Sequence, residues 1–580
     1  MPPSNLPPPR VNPETAPLER ALGAGGQPGS AGPGADGNDS GLPLPRTDEI
    51  QPAGFFVEPA PAPVLRSLRI ALGLPAGSPD LQVNLVLARL KTEQPAEAAS
   101  VLHAVMRQHS GWIRGWREWG EALCQARRPV EAEAALRQAL SLSPQNADTL
   151  NSLGVVLLAQ NRLDEAREIL LHAIQVQPAL ATAWNNLGAI LKMQCRLEEA
   201  LFAFRQAAGL APRHPEIRLN LSLAGLLSGD LSPAVWKQHE SRWAVMNFNP
   251  ARAPHLPIWR GAESLSGKSI LLYAEQGLGD TLQFVRYVPL LAAKGAIVHL
   301  EVQPALRTLL AATPGVATVI ARGEPLPAFD LQCPLLSLPL ALQTNLQTIP
   351  DQTPYVRASG ERIGHWAGLL PGGHQPKVGL VWRGNPRHKN DANRSVPWAL
   401  FRQLLAVDSC RFISLQIELS AEEAGTLAER ENVRSFAGQI GDFADTAAIV
   451  SQLDLIVTVD TSLAHLAGAL AKPVWLLLPF APDWRWLLDR TDSPWYPGMR
   501  LFRQPSAGDW DAVLQAVRAG LLQLVASVPS GEPEQAARKH ASSLSRTPPV
   551  GQGCGDHATS PQALGAGADV TARIRFPACP

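Results

Sequence analysis

Apolar and polar positions change rhythm along this chain. Residues 1–63 and 528–580 hold no sustained period; they are crowded with Pro, Gly, Ala and Ser. Segments of that kind bury too little apolar surface to offset the entropy of ordering, so both read as disordered extensions. From about residue 80 to residue 246, residue types recur every 34 positions. Gly120, Gly154 and Gly188 form one column, and Trp116, Leu150 and Trp184 a second. Ala132, Ala166 and Ala200 form a third, Ala139, Ala173 and Ala207 a fourth, and Pro144, Pro178 and Pro212 a fifth. Ala98 and Leu102 carry the pattern one unit upstream, and Ala234 hints at a degenerate unit downstream. From about 267 the pattern becomes short apolar runs separated by helical spacing, the signature of parallel α/β sheets. The runs are Ser269–Ala274, Ile297–Val302, Lys377–Trp382, Arg411–Gln416, Leu453–Val459 and Pro473–Leu478. Gly277-Leu-Gly-Asp280 is expected to be a tight loop, and Thr281 to Ala293 a helix. The break at Pro371-Gly-Gly-His-Gln-Pro376 divides this region into two Rossmann-like lobes, 267–370 and 376–526, facing a cleft.

The period and residue types of 80–246 resemble the tetratricopeptide repeat (TPR), a helix-turn-helix unit. The physics agrees. A glycine at the helix contact lets paired helices approach, the alanine columns keep the partner helix small, and the proline ends the second helix. Stacked units form an α-solenoid whose concave face is typically a protein or peptide site. A rigid spacer or a dimerisation element is the alternative reading.

Three segments stand out in residues 267–522: Ala274-Glu-Gln-Gly-Leu-Gly-Asp280, Trp382-Arg-Gly-Asn-Pro386 with Asn393-Arg-Ser-Val-Pro397, and Val459-Asp-Thr-Ser-Leu-Ala-His465. On these segments the region resembles bacterial glycosyltransferases of the heptosyltransferase family (glycosyltransferase family 9 type), which have the GT-B fold. The closer resemblance is to bacterial proteins in which that domain follows TPRs. Leu478-Pro-Phe-Ala-Pro-Asp-Trp-Arg-Trp486 is similar to the repeat-bearing group. The implied fold class is α plus α/β, a TPR solenoid followed by a GT-B domain.

The same resemblance implies roles. Asp280 matches the candidate general base, which would take a proton from the acceptor hydroxyl; on its residues alone it could equally cap a helix. Gly279 would allow close approach of a donor phosphate. Asp460, Thr461, Ser462 and His465 would belong to the donor-sugar and phosphate site, at the carboxyl end of a parallel strand where ligands bind in open α/β sheets. A capped helix with a buried His465 is the plain alternative. Ser462 stands where many heptosyltransferases have Gly, which weakens the inference to heptose. Arg394 would be the cation on the diphosphate, with Arg383, Lys389 and His388 as competitors, and Gln416 would meet the nucleotide base.

Composition narrows the field. The chain has 580 residues, and its 51 basic residues balance 51 acidic ones, which gives no general argument for nucleic acid. No apolar run approaches the roughly 18 residues needed to span a bilayer, and the start lacks a secretory signal, so a cytoplasmic location is expected. Six scattered cysteines show no CxxC spacing, which speaks against a zinc site. Gly267-Lys-Ser269 precedes a strand instead of following one, so it is not a phosphate loop, and Asp509-Trp-Asp511 reads as a helix start. No metal and no cofactor is expected. The expectation is an inverting glycosyltransferase that takes a nucleotide-diphosphate sugar, acts on a protein or glycan acceptor and binds a protein partner through the repeats. A non-catalytic repeat scaffold is the rival reading.

Overall fold

The computed structural model describes residues 62–74, 87, 91, 93–249, 251–388 and 390–527. Most of the two Pro/Gly-rich extensions, and Lys389, lie outside the described residues; Ala62 already begins a helix. That helix, α1 (Ala62–Ala71), precedes a run of paired helices. These are α2 (Pro95–Met106), α3 (Ile113–Gln125), α4 (Pro129–Leu142), α5 (Ala147–Ala159), α6 (Leu163–Val176), α7 (Ala181–Met193) and α8 (Leu197–Leu210). α9 (Pro215–Leu227), α10 (Pro233–His239) and α11 (Arg242–Val245) close the array.

The repeat columns have direct structural causes. A Cβ on Gly120 would lie 2.7 Å from Leu136, one on Gly154 2.4 Å from Leu170, and one on Gly188 2.4 Å from Phe204. Each glycine therefore faces a large side chain of its partner helix, and no other residue fits there without overpacking. All six column alanines are fully buried. The indole N–H of Trp184 donates to the Pro178 carbonyl at 2.9 Å, and that of Trp116 to the Ser110 carbonyl at 2.7 Å, so Ser110 occupies the proline column one unit upstream. The turn inside each pair carries one left-handed residue, at Arg127, Asn161, Cys195 and Gly229, with φ of 60°, 59°, 57° and 86°. Only the fourth is glycine, so this column does not show in the residue types. Its 34-residue spacing extends the register into α9 and α10.

The α/β region has two sheets, both fully parallel. The first has the order β3-β2-β1-β4, from β1 (Ser269–Tyr273), β2 (Ile297–Val302), β3 (Val316–Ala321) and β4 (Leu331–Pro334). The second has the order β10-β9-β8-β5-β6-β7. Its strands are β5 (Lys377–Val381), β6 (Arg411–Ser414), β7 (Val433–Ser435), β8 (Leu455–Val459), β9 (Val474–Leu478) and β10 (Met499–Arg503). A helical solenoid followed by two parallel α/β lobes is the architecture the resemblance implied. The six apolar runs all become strands, one with the same bounds (Ile297–Val302) and five trimmed at their ends. β3, β4, β7 and β10 escaped the pattern: β4 and β7 are only four and three residues long, and β10 has Arg500 and Arg503 among its five residues at a sheet edge.

Two local expectations are corrected. Leu278, Gly279 and Asp280 form the first turn of helix α12 (Leu278–Phe284), not a loop. The helix expected over Thr281 to Ala293 is broken by a 3₁₀ turn at Val285–Tyr287 and resumes only at Val288–Ala293, where Pro289 sits in the first turn and lacks an N–H to continue the preceding ladder. Helix α13 (Gly360–Ala367) packs against α14 (Phe443–Val450) of the second lobe, where Arg362 pairs with Asp445 and Asp442.

A single apolar core joins the end of the array to both lobes. It contains Leu226 and Trp236 from the array, Leu282 and Phe284 from α12, and Trp484, Trp486 and Trp495 from the second lobe. No described helix is long and apolar enough to cross a membrane.

Candidate active site

The two sheets reverse their winding between β1 and β4 and between β5 and β8. In open α/β sheets ligands bind outside the carboxyl ends of strands at such points. The chain leaving β1 runs through Glu275 to Gly277, whose extended backbone (φ −71°, ψ 171°) starts α12. The chain leaving β8 is Asp460, followed by extended Thr461 (φ −139°, ψ 174°) and helix α15 (Ser462–Ala469).

These two helix starts touch. A Cβ on Gly279 would lie 2.8 Å from Cδ2 of His465 and 3.5 Å from Cα of Ser462. Gly279 is thus small because α12 rests on α15. His465 is buried, shares a hydrogen bond between Nδ1 and the Tyr496 hydroxyl at 2.9 Å, and stacks on Trp486 with centroids 5.5 Å apart. Burial, then the charges of Arg485 and Arg286, push its imidazole well below the ordinary value, so it stays neutral.

Asp280 accepts the Gly277 backbone N–H on Oδ2 at 2.8 Å. Its Oδ1 accepts from Nη2 of Arg485, which comes from the other lobe. Arg485 also donates through Nε to the Gln283 side chain and through Nη1 to Asp483 at 2.9 Å, and it lies over the Trp484 ring at 4.4 Å. It is 8% exposed, and although burial opposes its charge, Asp483 and Asp280 raise its pKa. Arg286 of the first lobe is a second bridge. It is buried and donates to the carbonyls of Trp495 at 2.8 Å and Pro350 at 3.1 Å.

Asp460 stands beside this cluster. Its carboxyl is pushed up to about 6, first by burial and then by the Asp483 carboxylate, against the pull of Trp486, Arg394 and Arg485. Arg394 donates through Nη1 to the Asp460 carbonyl at 2.9 Å and through Nε to Asp391 at 3.1 Å. Gly384 makes room for it, since a Cβ there would lie 2.5 Å from Nη2 of Arg394. The Thr461 hydroxyl is 3.4 Å from that of Thr458. Asp280, Asp460, Thr461, Ser462 and Arg394 therefore come together at the interlobe crevice beyond β1 and β8, where Gly279 rests on His465.

Other candidates go elsewhere. Arg383 is committed to Glu423, at 3.1 and 3.0 Å, and to the Glu418 carbonyl at 2.6 Å. Despite its burial, Glu423 is held down at about 2 by Arg383, the Ser420 N–H and the Trp382 indole. Gln416 lies past the end of β6 and accepts the Arg383 backbone N–H at 3.3 Å. His388 is exposed, and its pKa is lowered, first by desolvation and then by Arg394, against the pull of Asp391, Asp483 and Asp280. Arg485, Asp483 and Tyr496 were not singled out by sequence reasoning, although Asp483-Trp-Arg-Trp486 was part of the resemblance. A cation flanked by tryptophans just after a buried strand was the available signal. Among the described residues no group of three or more His, Cys, Asp or Glu could hold a metal ion.

Profiles of the tetratricopeptide repeat match residues 123–190 and 181–214. Residues 123–214 are tetratricopeptide repeats. Protein FlbA of Caulobacter vibrioides is 27% identical over 321 residues, which are 50% of this chain and 52% of that protein. The match thus spans about half the length of that curated relative. Among solved structures, the E. coli ADP-heptose LPS heptosyltransferase II is 17% identical and is matched over 44% of this chain and 99% of that one, with TM-score 0.33. A glycosyl transferase of family 9 from Veillonella parvula is 10% identical over 45% and 99%, with TM-score 0.35. MamA of Desulfovibrio magneticus is 20% identical over 31% and 94%, with TM-score 0.24.

Proposed function

We propose that this chain transfers a sugar from a nucleotide-diphosphate sugar to a protein or glycan acceptor, recruited in part by the repeats. The observation that carries this reading is the meeting of two helix starts that follow β1 and β8: Gly279 lies against Ser462 and His465, Asp280 is held by Arg485 of the other lobe, and Arg394 holds the Asp460 carbonyl. The motifs that resemble family 9 glycosyltransferases are the segments that meet there.

In this reading the donor lies against the second lobe. Backbone N–H groups at Thr461 and Ser462, their hydroxyls and Arg394 hold the diphosphate. The acceptor oxygen forms its bond to the anomeric carbon on the face opposite the diphosphate. The bond from that carbon to the phosphate oxygen breaks, and its electron pair leaves with the nucleoside diphosphate. Asp280 takes the acceptor proton. The outcome is inversion, and the leaving charge is met by protein cations. Gln416 and Arg383 serve here as supports of the lobe.

Thermal-shift binding against a panel of nucleotide sugars and their diphosphates tests this. We expect one donor class to stabilise the protein, with the shift lost in Asp460→Ala. A panel without any response would replace this reading with a repeat scaffold.

A further inference from the structure

We propose that Arg485 is a catalytic cation that trades Asp280 for the donor diphosphate, releasing the base as the leaving group is captured. This rests on the glycosyl-transfer reading above and deepens it. The guanidinium spans both lobes, with Nη2 on Asp280, Nε on Gln283 and Nη1 on Asp483. Asp280 has both oxygens engaged, Oδ1 by Arg485 and Oδ2 by the Gly277 N–H. While Arg485 donates to Oδ1 and the Gly277 N–H to Oδ2, the lone pairs of Asp280 are already engaged and less open to an acceptor hydroxyl. The base works only when Arg485 has somewhere else to go.

The crevice supplies the reason for it to move. Asp280, Asp460 and Asp483 are opposed there by Arg394 and Arg485 among the described residues. Arg394 is already tied to Asp391 and to the Asp460 carbonyl. An entering diphosphate adds further negative charge to an acidic cluster, so it needs a cation that can be redirected. A planar guanidinium suits this, since its fork matches phosphate oxygens as well as carboxylate oxygens. The reaction moves charge the same way. As Asp280 takes the acceptor proton it becomes neutral, and the diphosphate gains the electron pair of the broken bond. Arg485 follows the negative charge from one to the other. The Trp484 ring supports one face of the guanidinium at 4.4 Å, and Trp484 itself packs edge-on against Trp236 of the array at 5.8 Å.

The test is calorimetric titration of the full chain with inorganic pyrophosphate in the presence of a chelator. Arg485→Gln should weaken pyrophosphate binding about 10- to 100-fold, the range for loss of a charged hydrogen bond. Asp280→Asn should tighten it several-fold, because the competing carboxylate is gone. A purely structural Arg485 predicts no tightening. Melting curves of both variants check the fold, and Asp280→Asn keeps the shape of the site if Arg485→Gln does not fold. Unchanged pyrophosphate affinity in folded Arg485→Gln, or absence of tightening in Asp280→Asn, overturns the proposal even if nucleotide sugars bind. Failure of the wild-type chain to bind either pyrophosphate or any nucleotide sugar overturns the glycosyl-transfer reading along with it.

Discussion

The repeat array and the interlobe crevice are built by opposite strategies. In the array, the decisive contacts are local and copied: Gly120 on Leu136, Gly154 on Leu170 and Gly188 on Phe204 are one contact made three times. In the crevice, each decisive contact is made once and joins distant parts of the chain. Asp280 and Arg485 lie 205 positions apart, and Arg286 and Trp495 lie 209 apart. The array is therefore tolerant as a whole and sensitive at its glycines. The crevice depends on the docking of whole lobes. The two regions are not independent, because Arg242 of α11 pairs with Glu275 at 2.7 Å, Trp236 donates to the Thr344 carbonyl at 3.1 Å, and Cys195 donates to the Phe480 carbonyl at 3.0 Å. The array thus contacts two of the segments around the site, 274–280 and 478–486.

That junction gives the largest expected effect. Arg242 is 1% exposed and neutralises the buried Glu275, so Arg242→Met should destabilise the chain by about 3–5 kcal/mol in urea unfolding, the usual result of leaving a buried charge unpaired. A small effect there would separate the array from the lobes. Within the array, Gly188→Val should cost about 1–3 kcal/mol by driving a side chain into Phe204. The same substitution at Gly209, which has nothing within 4 Å, should cost far less. Equal losses at both would show that backbone freedom, not helix approach, selects the column.

The crevice offers a pH test. The Asp460 carboxyl is raised to about 6 in the fold from 3.8, so folding favours its protonated form. Its cost to stability is absent below pH 4, grows as pH rises and is complete above pH 6. Asp460→Asn should accordingly be more stable than the parent at pH 7, by up to about 3 kcal/mol, and come close to it near pH 4. A gain independent of pH would remove the electrostatic explanation. Smallest is Asn146→Ala at the start of α5. Asn146 accepts the Thr149 N–H at 2.8 Å, and its loss should cost about 1 kcal/mol.

These contrasts also explain what could be read from the chain. The repeat was legible because the same steric problem recurs with the same solution at Gly120, Gly154 and Gly188. The left-handed turn residues were not, because Arg127, Asn161, Cys195 and Gly229 meet one backbone demand with four residue types. Buried strands such as β8 announced themselves as apolar runs, whereas β10 at a sheet edge did not. In the candidate site, Asp280 and Asp460 were singled out through short segments at strand ends. Arg485 was not, because its contact with Asp280 depends on α12 arriving from the other lobe. Gly279 shows the converse: its small size was read as room for a phosphate, and the structure places His465 against it.

The most direct test of the central claim is release of nucleoside diphosphate from the donor selected by binding, measured for wild type and Asp280→Asn. The account predicts release by the wild type and a loss of about 10²–10⁴-fold in the variant, the span expected for a general base, with donor binding kept. Equal rates in the two proteins, or no release by the wild type from a donor it binds, would contradict it.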